Sequence, residues 1–304
     1  MDYSIPVSGT MISIIIPNLH SPLIGQVIQA LVSQTARSAI REVIVVGQDR
    51  YGLVPADARF VPTPQPISPA AARNLGARLS SGEYLLFLDA DCIAALDLVE
   101  HILARHRHGY AVVGSSMMIE ADNYWVLCDN LLSFASFLSQ SPPGSRAYLP
   151  SFGFSISRAL FNQVGGFDER FAGAAGEDVD LCLRLREGGY SLCFDPAARV
   201  THRPARVSAR AMLRHLRLFG RAYYRVQRLH PASMRSVFAR VSPAAAGTIL
   251  ALSPLLACAD IVLLFGRSPE LRAHPHASAG MILGRIGWYL GVVEALLAAP
   301  PRSA

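Results

Sequence analysis

Paired cysteine spacing is absent from this chain. Its five cysteines, Cys92, Cys128, Cys182, Cys193 and Cys258, are scattered and form neither a disulfide framework nor a zinc pattern. That usage fits a reducing compartment. The N-terminus lacks a basic region followed by an apolar run and a small-residue cleavage site, so no signal peptide is expected. Charge is scarce: 16% of 304 residues are charged against 51% hydrophobic, and the mean hydropathy is +0.30. No Gly-x-Gly-x-x-Gly follows the first apolar run, which excludes a dinucleotide oxidoreductase. The residues there are Pro17-Asn18-Leu19-His20, with no glycine-rich phosphate loop and no nearby lysine, which argues against a nucleotidyltransferase. Repeats and long low-complexity tracts are also missing. The net charge of +6 permits nucleic acid, but no nucleic-acid module is present, so nucleic acid is not an expected partner. The excess cation is arginine, which suits phosphate and anionic lipid.

What is present is organised around Tyr84-Leu85-Leu86-Phe87-Leu88-Asp89-Ala90-Asp91. A short run of bulky apolar residues after Ser80-Ser81-Gly82 reads as a buried central strand of a parallel sheet. Ligands of open α/β sheets bind at the carboxyl ends of such strands. Two carboxylates one residue apart at that edge suit a hard divalent cation, Mg²⁺ or Mn²⁺, which leaves positions open for phosphate oxygens. The plainer alternative is a solvated turn in which an aspartate caps the next helix.

The chain is long enough for one large α/β domain plus an appendage. Ile12 to Ile16, Glu42 to Val46 and Arg59 to Val61 read as three strands before the Asp-x-Asp strand, with helices near Pro22 to Gln34 and Ala70 to Leu79. That order implies a right-handed, largely parallel sheet. Beyond Asp91, a helix is expected near Leu96 to Arg107, a strand near Tyr110 to Gly114 and a helix within Asn123 to Gln140. A strand at Phe152 to Ile156 and a short helix to Val164 follow, then the turn Gly165-Gly166-Phe167-Asp168. The helix opened by Glu177-Asp178-Val179-Asp180 carries acidic residues where the helix dipole favours them, a capping role that competes with any catalytic one. Ser191 to Phe194 and Arg199 to Thr201 look like a last pair of strands, closed by His202-Arg203-Pro204.

After Pro204 the character changes. Arg206, Arg210, Arg214, Arg217, Arg221, Arg225 and Arg228 make one helical stripe, and Met212, Leu216, Phe219, Tyr223 and Val226 make the opposite one. This reads as a basic amphipathic helix at a membrane surface, or as a helix packed by its apolar face with solvated arginines. Ala244 to Phe265 is an apolar run containing only Asp260 as an acid, and Gly280 to Ala298 is a second run carrying Arg285 and Glu294. The first qualifies as a span by length. Two antiparallel spans, a hairpin dipping into one leaflet and a pair of buried core helices are the alternatives. The positive-inside comparison of Arg235 and Arg240 with Arg267 and Arg272 discriminates little. The expected division is 1–204 for the α/β domain, 205–232 for the basic helix and 233–304 for the hydrophobic region.

Taken together, several pieces resemble the inverting family 2 glycosyltransferases of GT-A fold. They are Ile14-Ile15-Ile16-Pro17; Ala72-Arg73-Asn74-Leu75-Gly76 followed by Ser81-Gly82-Glu83-Tyr84 and Phe87-Leu88-Asp89-Ala90-Asp91; Gly165-Gly166-Phe167-Asp168; and Gly176-Glu177-Asp178-Val179-Asp180-Leu181 with Arg184. Each piece is weak alone. Their order and gaps over Ile12 to His202 are specific.

The resemblance implies transfer of a sugar from a nucleotide-diphosphate sugar with inversion. Asp178 matches the family's base, with Glu177 on the acceptor side. Asp91 would hold the cation, with Asp89 reaching it or the ribose. His202 matches a position where some relatives place a metal-binding histidine, or it is a strand-end histidine bonding backbone. Pro17 and Asn18 would line the base pocket, and Arg73 would touch base or phosphate. Many relatives end the second strand with an aspartate to the base; here that place is Gly47, with Asp49 or Gln48 as substitutes. No Gln-x-x-Arg-Trp motif is present, which argues for single-sugar transfer. A lipid-linked or other glycan acceptor, membrane lipid as a partner, and a cell-membrane location with the catalytic domain on the cytoplasmic side complete the expectation. A non-catalytic GT-A-fold scaffold or partner subunit is the alternative, and Gly47 is the feature that favours it.

Overall fold

The computed structural model describes residues 10–120, 122–234 and 243–298. Arg235 and Arg240, used above in the charge comparison, lie outside the described residues. The chain divides into two compact units: 1–118 with 142–202, and 119–141 with 203–304.

The first unit is a nine-stranded sheet flanked by helices. β1 (Ile12–Leu19), β2 (Ile40–Gln48), β3 (Arg59–Pro62) and β4 (Tyr84–Phe87) run parallel in the order β3-β2-β1-β4. The crossovers are α1 (Ile24–Val32) between β1 and β2 and α2 (Pro69–Leu79) between β3 and β4. Ile14, Ile15, Ile16, Val45, Val46, Leu86 and Phe87 are fully buried, as strands covered on both faces must be. Ser68 caps α2 by accepting from the Ala71 N–H, with Pro69 in the first turn.

Beyond β4 the sheet becomes mixed. β8 (Phe154–Ser157) pairs antiparallel with β4 on one side and with β6 (Val112–Met118) on the other. β9 (Leu192–His202) lies parallel to β6 and antiparallel to β5 (Cys92–Ala94) and to the two-residue β7 (Gly144–Ser145). The largely parallel sheet read from the sequence therefore describes its first four strands. The expected last pair of strands is one strand, β9, with a register shift where Asp195 and Arg199 oppose Ser115 and Ser116. Pro196 and the bulge had broken its apolar pattern in two. β5 was not foreseen, since three residues after a turn carry no periodicity. The helices α3 (Leu98–Arg107), α5 (Arg158–Gln163) and α6 (Glu177–Glu187) complete the unit.

The second unit is helical: α4 (Tyr124–Phe134), α7 (Ala209–Leu229), α8 (Ala246–Arg267), the short α9 (Pro269–Arg272) and α10 (Ser278–Ala298). The apolar stripe of α7 does not face outward. Met212 and Leu216 are buried against α10, where a Cβ on Gly284 would meet both. A side chain at Gly220 would collide with the backbone of Trp288, and one at Gly291 with the backbone of Arg217, so α7 and α10 touch along their backbones. The arginine face remains exposed.

Asp129 of α4 anchors this unit. It is fully buried and accepts from Arg206 Nε at 2.5 Å and pairs with His215 Nδ1 at 2.7 Å. Burial opposes its charge, but the His215 and Arg206 contacts outweigh burial and hold its pKa below the ordinary aspartate value. Asp129→Ala leaves the Arg206 guanidinium without its counter-charge and the His215 ring without its hydrogen-bond partner. It should cost about 3–5 kcal/mol of unfolding free energy, read from urea or thermal denaturation.

Candidate active site

The sheet reverses its winding between β1 and β4, the place where open α/β sheets form a ligand crevice. β1 stays paired with β2 to Leu19 but with β4 only to Ile15. Pro17 has no N–H to offer, so the strands part there. Asn18 is buried; its Nδ2 donates to the Gln48 carbonyl and its Oδ1 accepts from the Ser21 N–H. Ser21 Oγ donates to the Ala90 carbonyl at 2.7 Å, tying this loop to Asp89-Ala90-Asp91. Ser21 is a residue that sequence reasoning missed, since a lone serine after a strand gives no signal.

Gly47 now has a physical reason. It opposes Asn18 across β1 and β2 at φ +133, and a side chain there would strike the Asn18 carbonyl oxygen. The Gln48 side chain bonds the Thr63 carbonyl. Asp49 Oδ2 accepts from the Val54 N–H at 2.8 Å, while its buried Oδ1 has no partner.

Arg73 lies at the centre. From the middle of α2 its guanidinium spans two carboxylates: Asp89 Oδ1 at 2.7 Å and Glu177 Oε1 at 2.8 Å. Arg73 and Glu177 side chains are each 3% exposed, whereas Asp89 is 30% exposed. Burial opposes the Arg73 charge, and the Asp89 and Glu177 carboxylates more than offset it, raising its pKa. The Arg73 guanidinium also lies over the Phe167 ring, 5.4 Å from its centroid. Arg73 Nε and Glu177 Oε2 are buried without partners. Asn74 brackets Phe167, donating to its carbonyl and accepting from its N–H. It thus holds the Gly165-Gly166-Phe167 turn. Arg184 secures the same turn, bonding the carbonyls of Val164 and Gly166 and the Asp180 carboxylate. Asp180 therefore works inside this clamp.

Asp178 follows Glu177 in the first turn of α6, after Gly176 at φ +90. Its Oδ2 accepts from the Ser151 N–H at 3.1 Å and its Oδ1 from the Val179 N–H at 2.8 Å. Burial pushes its pKa above the ordinary aspartate value, against the pull of Arg73 and the two N–H groups. Burial and the neighbouring Asp178 likewise push Glu177 upward, against Arg73.

Asp91 and His202 meet, with Oδ1 and Nε2 3.5 Å apart. Pairing of Cys92 with His202 across β5 and β9 fixes this contact. Asp91, Cys92 and His202 offer ligand atoms within 4.8 Å of one another. A carboxylate and an imidazole, with a thiol beside them, make a donor set that accepts a divalent ion such as Mn²⁺. Phe152 stacks near the His202 ring. Of the three expected ligands, Asp91 and His202 come together, while Asp89 is held by Arg73 and stands outside that group. Cys92 was missed; its adjacency to Asp91 was the available signal.

Residues 13–165 match the family described as Glycosyl transferase family 2, and the chain belongs to that family. The pre-mycofactocin glycosyltransferase of Mycobacterium tuberculosis (strain ATCC 25618 / H37Rv) is 31% identical over 153 residues, covering 48% of this chain and 32% of that protein. Glycosyltransferase AglE of Haloferax volcanii is 28% identical over 170 residues, 56% of this chain and 55% of that one. The chain thus spans about a third to about half of the length of these curated relatives. Among solved structures, the mannosyltransferase PcManGT from Pyrobaculum calidifontis in complex with GDP-Man and Mn²⁺ superposes with TM-score 0.59 at 17% identity, covering 92% of this chain and 87% of that one. GalNAc-T7 with UDP, GalNAc and Mn²⁺ gives TM-score 0.56 at 15% identity over 72% of this chain and 48% of that one. The fold is GT-A.

Because Gly47 is held by close backbone approach and positive φ, Gly47→Ala should lower unfolding free energy by about 1–3 kcal/mol. Urea denaturation measures this. An unchanged midpoint would mean that β1 and β2 can part at Asn18.

Proposed function

We propose that this protein is an inverting, non-processive glycosyltransferase. It moves a sugar from a nucleotide-diphosphate sugar to a hydroxyl of a membrane-borne glycolipid or cell-surface glycan precursor, working at the cell membrane from the cytoplasmic side. The observation that carries this reading is Asp178. It is a half-buried carboxylate fixed by two backbone N–H groups, beside the Arg73 network at the carboxyl edge of the sheet.

The acceptor hydroxyl gives its proton to Asp178 as its oxygen bonds to the anomeric carbon from the face opposite the leaving group. The bond from that carbon to the diphosphate oxygen breaks, its electron pair leaving on the nucleoside diphosphate. Each Asp178 oxygen accepts one N–H, which fixes the carboxylate and leaves a lone pair for the incoming proton. Arg73 sets Asp89 for the donor and Glu177 for the acceptor side, where the unpartnered Glu177 Oε2 accepts a hydroxyl. Pro17, Asn18 and Asp49 receive the nucleotide; the buried, unpartnered Asp49 Oδ1 suits a base N–H. Asp91 and His202 would hold Mg²⁺ or Mn²⁺, which when bound neutralises charge on the departing diphosphate.

Detergent-solubilised full-length protein, screened with UDP-, GDP- and dTDP-sugars and either cation, tests the reading. Metal-dependent nucleotide release is expected. It should fall by about 10²-fold or more in Asp178→Asn, and Asp91→Ala should lose the metal dependence. Release untouched by both substitutions would overturn the site. No donor binding at all would turn the reading to a scaffold. The anomeric configuration of the product, read by NMR, tests inversion.

A further inference from the structure

α10 runs parallel to α7 and in step with it. Gly287 meets Leu213, Gly291 meets Arg217, and Glu294 pairs with both Arg217 and Arg221. Whatever depth α10 occupies in a membrane, α7 occupies too. The outward face of α7 carries Arg210, Arg214, Arg217, Arg221, Arg225 and Arg228, all exposed. A bilayer-crossing α10 would therefore carry a row of guanidinium groups to hydrocarbon depth, where ionised side chains are strongly disfavoured.

α8 is the opposite kind of surface. It is apolar all round and buried along one narrow seam, Ala246, Ile249, Ser253, Ala257 and Ile261. Leu250, Leu252, Leu255, Leu256, Val262 and Leu263 are exposed, with Leu255 at 69% and Val262 at 71%. From Leu250 to Leu263 that is an apolar face about 20 Å long at 1.5 Å per residue. The two charges facing each other between α8 and α10, Asp260 and Arg285, satisfy one another at 2.7 Å, and Tyr289 joins them. α10 packs against both neighbours and is largely covered. The unit thus presents hydrocarbon-like surface on α8 and cation on α7.

We infer that this unit is a one-leaflet membrane anchor: α8 lies lengthwise in the acyl region of an anionic leaflet, α10 does not cross, and the α7 arginines stand at headgroup level. The apolar face fixes insertion, and the arginines supply charge complementarity to anionic lipid. The inference concerns topology and does not rest on the transfer reaction.

Cys258 is the one exposed cysteine among the described residues and lies within α8. A fluorophore there, on the full-length chain bound to phosphatidylcholine–phosphatidylglycerol vesicles, should be quenched by acyl-chain quenchers. Binding should weaken at least tenfold in pure phosphatidylcholine or in Leu255→Glu/Val262→Glu. In a Cys258→Ser background, Ala273→Cys reports the connection between α8 and α10. In sealed membrane vesicles with the catalytic unit outside, a membrane-impermeant maleimide should label it equally with and without permeabilisation. Labelling only after permeabilisation would show a span and overturn the inference. So would a Cys258 probe that stays unquenched, which would leave the α8 face to another partner.

Discussion

A single buried guanidinium holds the candidate site of the first unit in register. Arg73 is nearly inaccessible, and a charge in that position is tolerable only because carboxylates meet both ends of its fork. The two carboxylates come from places far apart in sequence: one from the turn after β4, the other from the first turn of α6. Bridging them sets the distance between the edge of the sheet and the helix that carries Asp178. The bridge also decides what Asp89 can do. With one oxygen engaged by Arg73, it is a partly committed group, whereas Asp91 turns toward His202. The two aspartates of one short motif thus have different environments, and the difference arises from α2 and β9, not from the motif.

The same economy shapes the crevice. Pro17 ends the pairing of β1 with β4, and Gly47 lets β2 approach the Asn18 backbone where a side chain would not fit. An aspartate at position 47 is therefore incompatible with this approach. The chain instead presents a carboxylate two residues later, closed over its own loop by the Val54 N–H. Gly47 is thus explained by packing, and the feature that had favoured a non-catalytic scaffold loses its force.

Much of this was legible because it is local. Runs such as Ile12 to Ile16 and Tyr84 to Leu88 read as covered strands, and Ala70 to Leu79 reads as a helix, one residue short of α2, which Pro69 opens. The wider family pattern brought Asp91, Asp178 and His202 forward as candidates. What sequence could not show was pairing at long range. Arg73 was expected at the nucleotide and is found between two acids. Asn74 holds a turn 93 residues away. Cys92 gains meaning only because β5 lies beside β9. The mixed half of the sheet was hidden for the same reason: strand direction is set by partners that local periodicity does not name.

Hydropathy weighs each residue of the second unit alone, and the structure shows which of them act together. Arg285 and Glu294, each counted as an isolated charge, make the last apolar run marginal as a bilayer span. In the structure each has its counter-ion: Asp260 for Arg285, Arg217 and Arg221 for Glu294. The glycines at 284, 287 and 291, which a hydropathy scale treats as neutral, turn out to be decisive. They let α7 lie against α10 backbone to backbone, and that contact couples an arginine row to an apolar helix. Whether an apolar run can cross a bilayer is then settled by what is bolted to it, and only secondarily by its own composition.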